Sequence, residues 1–170
     1  MKKLNILKTL IDIAFFFMLL GALAIFIFVP IYLCGSEGGL PIIINGQSIT
    51  AFDIYTKILI ALAAIGALLF IYAIYLLRKT LAFFVKRDVF NSKVVHYLDL
   101  IGKFLIVSTL LTNIPLLIYN IFSRQHLSIQ FNGGGFDSLS LSVSLGLFFM
   151  VLSEVFKIAK NLKEENELTV

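Results

Sequence analysis

The chain has 170 residues, 59% of them apolar and 14% charged, with fourteen Lys and Arg against ten Asp and Glu, and its mean hydropathy of +0.99 is far above that of a soluble domain. Its apolar residues gather into four blocks of about twenty, the length that crosses a hydrocarbon core, which predicts a single membrane domain and leaves no polar stretch able to bury a core of its own. The lone cysteine, Cys34, excludes an internal disulfide, a paired-thiol redox site and a zinc site built on CxxC.

The first span is predicted over 13–33. Lys2, Lys3 and Lys8 could head a cleaved signal peptide, but the uncharged run continues past Ala22-Leu23-Ala24 to Leu33, as a retained anchor does. Processing as a lipoprotein at Cys34 would need small residues where Tyr32 and Leu33 stand. Lys8 and Asp12 are spaced to pair along a helix, and Phe15-Phe16-Phe17 is expected to face lipid. Ala14, Met18 and Ala22, with Gly21 beside them, offer a smooth packing stripe. Pro30 can bend or end the helix.

The outer loop 34–57 holds Asn45-Gly46 between short β-branched runs, a hairpin signal. A small extracytoplasmic β element is therefore expected, with a partner strand at Leu127–Phe131 in the second outer loop, 123–138. The run SLSLSVS suits either a strand or a helix face, and the fourth helix is expected to begin near Leu139.

The second span, 58–77, contains the small-xxx-small pair Ala63 and Ala67 and places Tyr72 and Tyr75 near one interface. Its helix has no breaker before Val85. In the connector 78–103, Asn91 or Ser92 is expected to cap the next helix, with Phe90 and Val95 spaced as a hydrophobic staple. That helix enters the bilayer near Gly102 and spans 104–122. It is the most polar of the four, with Ser108, Thr109, Thr112, Asn113 and Asn120, and is interrupted by Pro115. Thr109, Asn113 and Asn120 share a face, expected to look into the bundle. The fourth span, 139–157, carries Glu154 three residues before Lys157, and the tail 158–170 is expected to be helical before it frays. The fold class is thus an all-α four-helix membrane bundle.

The basic balance follows topology rather than nucleic acid. With both termini cytoplasmic, twelve Lys and Arg fall inside and only Lys57 and Arg124 outside, as the positive-inside rule requires. His96 and His126 then lie on opposite sides and cannot share a metal ion. There is no HExxH, no acidic pair within a span, and no strand and helix flanking the Asn132–Gly135 glycine turn as a phosphate loop would need. No enzymatic activity, cofactor or metal is expected.

Two regions remain as candidates. On the third-span polar face of Thr109, Asn113 and Asn120, the residues Asn113 and Asn120 with the helix break at Pro115 could line a transport path, and Glu154 could carry a proton; interhelical hydrogen bonding and an interfacial Glu154–Lys157 pair explain the same residues. The connector is suited to anionic lipid, and Leu81, Phe83, Phe84, Val85 and Phe90 add apolar surface that could hold a cytosolic partner.

The segments VFNSKVVHYLDLIG (Val89–Gly102) and VLSEVFKIAKNLKEENELTV (Val151–Val170) resemble the bacterial membrane proteins of domain of unknown function family 2975. Phe90, Asn91, Gly102, Glu154, Val155, Phe156, Leu162, Glu165, Asn166, Leu168 and Thr169 match that pattern; Ala159 departs from it where a glycine is common. The resemblance implies a bacterial membrane protein without established biochemistry and associated with small helix-turn-helix regulators; with both termini inside by the charge count, the cytoplasmic membrane is its expected place. The resemblance marks Phe90, Asn91, Phe156, Glu165, Asn166, Leu168 and Thr169 as candidate partner-binding residues, to which the apolar and basic surface of the connector adds Phe84 and Arg87. The expected function is that of a membrane sensor or anchor for such a regulator, without direct nucleic-acid contact. The alternative is a small transporter or permeability factor, working as a homo-oligomer on the third-span polar face.

Overall fold

The computed structural model describes residues 2–34, 42–44, 47–49, 54–123 and 136–168. It contains four helices, α1 (Lys2–Cys34), α2 (Ile54–Val85), α3 (Ser92–Ser123) and α4 (Phe136–Leu168). Each is 32 or 33 residues long, or roughly 48 Å at the α-helical rise. A hydrocarbon core is about 30 Å thick, so each helix can cross it and extend beyond it. All four are long and apolar enough to cross a membrane, the hallmark of a multi-pass membrane protein.

Sequential helices pack side by side, α1 on α2, α2 on α3 and α3 on α4, and among the described residues α1 packs on neither α3 nor α4. Side-chain contacts fix an antiparallel order. Asp12 near the start of α1 meets Arg78 near the end of α2, and Lys57 at the start of α2 donates to the Leu33 carbonyl at the end of α1 at 3.2 Å. Ser153 on α4 reaches the Val95 carbonyl on α3 at 2.7 Å. One end of the bundle therefore gathers the start of α1, the end of α2, the start of α3 and the end of α4. It is called the connector end below.

The packing faces repeat with the heptad spacing of left-handed helix pairs. On α1 the half-buried positions Leu4, Lys8, Ile11, Phe15, Met18, Ala22, Ile25, Val29 and Tyr32 alternate at four and three. On α3 the buried Val94, Leu98, Ile101, Leu105 and Ser108 do the same, and on α2 Leu59, Gly66, Ala73 and Thr80 recur every seven. Ala73, Leu76, Ile101 and Leu105 form the centre of the α2–α3 contact.

Glycine sets the close approaches. A Cβ on Gly66 would lie 2.5 Å from Thr112 Oγ1 and 3.0 Å from the Ser108 carbonyl. On the other side of α3, a Cβ on Gly102 would lie 2.5 Å from the Gly146 carbonyl, and one on Gly146 2.9 Å from the Gly102 carbonyl. Backbone thus meets backbone at the α3–α4 crossing, where any side chain would separate the helices.

The uncharged runs understate the helices. α1 runs back from the span at 13–33 to Lys2, because a helix that leaves the hydrocarbon continues through Lys3, Lys8 and Asp12, where charge meets water. α4 begins at Phe136, not Leu139, and continues to Leu168. Neither Pro30 nor Pro115 ends its helix. Of the stripe expected on α1, Met18 and Ala22 lie on the seam, whereas Ala14 is exposed and Gly21 has open space around it. Phe16 and Phe17 are exposed as expected, but Phe15 packs on Tyr75 at 5.9 Å between ring centroids. Asp12 pairs with Arg78 across to α2 rather than with Lys8 on its own helix, the partner that the spacing suggests.

Between α1 and α2, Ile42–Ile44 and Gln47–Ile49 pair antiparallel over three residues each. This short ladder makes no β layer, and the fold is all-helical. The strand expected at Leu127–Phe131 lies outside the described residues.

Candidate functional site

The connector end is built from two helix termini joined by six residues, 86–91. α2 closes with the Asp88 N–H donating to the Phe83 carbonyl and the Arg87 N–H to the Phe84 carbonyl, both at 3.1 Å. This bond pair is the Schellman motif, whose penultimate residue takes a left-handed conformation. Arg87 occupies that position with φ 62°, where glycine is the usual residue. α3 opens on Asn91, whose Oδ1 accepts the Lys93 N–H at 3.0 Å and whose Nδ2 donates to Asp88 Oδ2 at 2.7 Å. Of the two expected caps, Asn91 is the one used; it satisfies an N–H that would otherwise lack a partner at the helix start.

α4 closes over this turn. The Phe156 ring stacks on Phe84 of α2 with centroids 5.6 Å apart and planes 19° apart. Lys160 Nζ donates to Ser92 Oγ at 2.7 Å, and Lys163 Nζ lies 5.7 Å above the Phe90 ring. A half-open cleft of about 140 Å³ is left between the turn and α4, lined by Arg87, Asp88, Val89, Phe90, Lys160, Lys163, Glu164 and Glu167. Its charges alternate in sign, and Lys160–Glu164 (3.4 Å) and Lys163–Glu167 (3.6 Å) pair along α4. An exposed pair of this kind adds about 0.3 to 0.5 kcal/mol, so these charges stay available to another charged surface.

The candidate partner-binding residues therefore divide. Phe84, Phe156 and Asn91 are engaged within the bundle, as stack and cap, while Arg87 and Phe90 line the cleft. Glu165, Asn166 and Leu168 lie on the exposed last turns of α4, Leu168 being 87% exposed. Thr169 lies outside the described residues. Glu164, Glu167, Lys160 and Lys163 were not singled out from sequence; they line the cleft because α4 stays helical beyond the bilayer, a feature that the Lys-to-Glu spacing of four supports.

The third-span polar face is built differently from expectation. Thr109 Oγ1 donates to the Leu105 carbonyl at 2.8 Å, Thr112 Oγ1 to Ser108 at 2.8 Å and Asn113 Nδ2 to Thr109 at 2.9 Å. Ser108 likewise bonds Leu105 at 2.9 Å. These polar groups bind their own helix one turn back instead of reaching a neighbour, a known habit of Ser and Thr in helices. Asn120 belongs to α3, but its side chain lies outside the described part. Glu154 is exposed and faces Lys157 at 3.9 Å, an interfacial pair far along α4 from Asn113. Nothing brings Thr109, Asn113 and Glu154 together. Among the described residues no three His, Cys, Asp or Glu side chains gather as a metal site would require.

A family model described as "Protein of unknown function (DUF2975)" matches residues 4–170. The chain belongs to that family. No curated protein and no solved structure matches it. Within this DUF2975 chain, several residues of the pattern have structural work: Asn91 caps α3, Gly102 makes the α3–α4 crossing possible, and Phe156 stacks on Phe84 of α2.

Proposed function

We propose that this DUF2975 protein is a membrane anchor of the bacterial cytoplasmic membrane, with both termini inside, that holds a cytosolic helix-turn-helix regulator against its connector end. The observation that carries the reading is where the excess helix length goes. The charges of α1, α2, α3 and α4 begin at Asp12, Arg78, Lys103 and Glu154 on the way to that end, so the surplus of all four helices projects from one side as a charged helical platform. Its cleft and the apolar Leu168 offer a partner both charge and hydrophobic contact. Twelve of fourteen cations on that side support an inward orientation. The helix-turn-helix class rests on the family resemblance alone.

The test is purification of the full chain from its native membrane in mild detergent, beside Leu168→Asp and Lys163→Glu variants. Phe156 and Phe84 are unsuitable because their stack supports the bundle. A helix-turn-helix protein recovered with the parent and lost with both variants is the expected outcome. Absence of such a protein at native expression, or its equal recovery with both variants, contradicts the reading.

A further inference from the structure

Tyr72, Tyr75 and Lys79 follow one another on α2 at spacings of three and four, and Tyr97 and Phe104 lie seven apart on α3, so each set shares one face. The two faces meet. Tyr72 sits edge-on to Phe104 at 5.1 Å, and Lys79 Nζ lies 4.7 Å from the Tyr75 ring centroid and 5.9 Å from that of Tyr97. The groove stands at the end of the uncharged run of α2, which stops at Leu77, the level at which tyrosines and cations line a bilayer interface.

Lys79 differs from the cations around it. Arg78 pairs with Asp12 and Lys103 with Asp99, whereas among the described residues no carboxylate pairs with Lys79. Its side chain is exposed. The Tyr75 hydroxyl accepts from the ammonium and the ring faces steady it, which leaves further N–H donors, since a lysine has three and no acceptor of its own. An acceptor at headgroup depth, carrying negative charge, completes the arrangement.

We infer that the groove between α2 and α3, where Lys79 lies across Tyr75 and Tyr97, binds the phosphate of an anionic phospholipid headgroup. Tyr72 and Phe104 below the ammonium supply apolar surface for the start of the acyl chains. The site is separate from the cleft at Arg87 and Lys163, and it stands whether or not a protein docks there.

Native mass spectrometry of the full chain in detergent, with phosphatidylglycerol or phosphatidylcholine added, reads the site directly. The parent is expected to retain phosphatidylglycerol in preference, and Lys79→Gln to weaken that preference about fivefold, the scale of one cation near a lipid surface. Lys79→Arg should keep it, and Lys86→Gln, an equal charge change outside the groove, should leave it intact. Thermal unfolding of each variant confirms that the fold is retained. No preference in the parent, or equal losses for Lys79→Gln and Lys86→Gln, overturns the assignment. Displacement of the lipid by millimolar glycerol 3-phosphate would also overturn it, because the ligand would then be a soluble phosphate ester.

Discussion

α1 and α3 are almost equal in length, yet the more apolar of the two is the less buried. The α1 window is the most apolar of the four helices and none of it is buried, whereas the α3 window is the least apolar and a third of it is buried. In water this order would be reversed, because apolar area drives burial. Lipid removes that drive, since a Leu facing acyl chains gains little from facing another Leu. What draws α3 to the centre is shape: Gly66, Gly102 and Gly146 let backbones approach, and Ser108 and Thr109 are small enough to fill the gap. α1 is held on one side by its seam with α2 and by Asp12–Arg78.

The largest effect should come from closing the α3–α4 crossing. Gly102→Leu places a side chain against the Gly146 backbone and Met150, and should lower stability by about 3 kcal/mol. Gly21→Leu on α1 meets open space and should stay within about 0.5 kcal/mol. Reversible unfolding in mixed detergent with dodecyl sulfate measures both, and equal losses would break the contrast between the helices.

A cavity should come next. Leu98→Ala empties a position 1% exposed and should cost about 2 kcal/mol, the low end for such truncations because lipid removes much of the transfer contribution. Leu20→Ala, 49% exposed, should change little in the same measurement.

Smaller effects sharpen the account of the termini. Arg87→Gly relieves a left-handed residue and should stabilise by about 1 kcal/mol; a loss of stability would mean that the Arg87 side chain holds the turn. Asp12→Asn removes a partly exposed ion pair and should cost about 0.5 kcal/mol. Its signature is a faster-forming disulfide between cysteines placed on α1 and the distal side of α2, as α1 swings on its seam.

What could be read in the sequence was what local chemistry decides. The end of α2 at Val85 and the start of α3 behind Asn91 follow from missing breakers and a capping side chain, and four apolar runs suffice for four helices. Distant partners were not legible. Gly146 carries no sign that its counterpart is Gly102, and Phe84 and Phe156 become a stack only once α4 is known to lie beside the connector. The polar face of α3 misled for another reason: Thr109 and Asn113 share a face, but their hydrogen bonds close within one turn. Charge hid the first turns of α1, since Lys3 and Lys8 end a membrane run without ending a helix.

The proposed anchoring requires the connector end to face the cytosol, and labelling of single cysteines tests that most directly. In a Cys34→Ser background, Lys93→Cys and Asn161→Cys place thiols at the start of α3 and towards the end of α4, both on that side. A membrane-impermeant maleimide should leave both unmodified in intact spheroplasts and modify both after lysis. Modification of both before lysis would place the platform outside the cell and contradict the proposed anchoring of a cytosolic regulator.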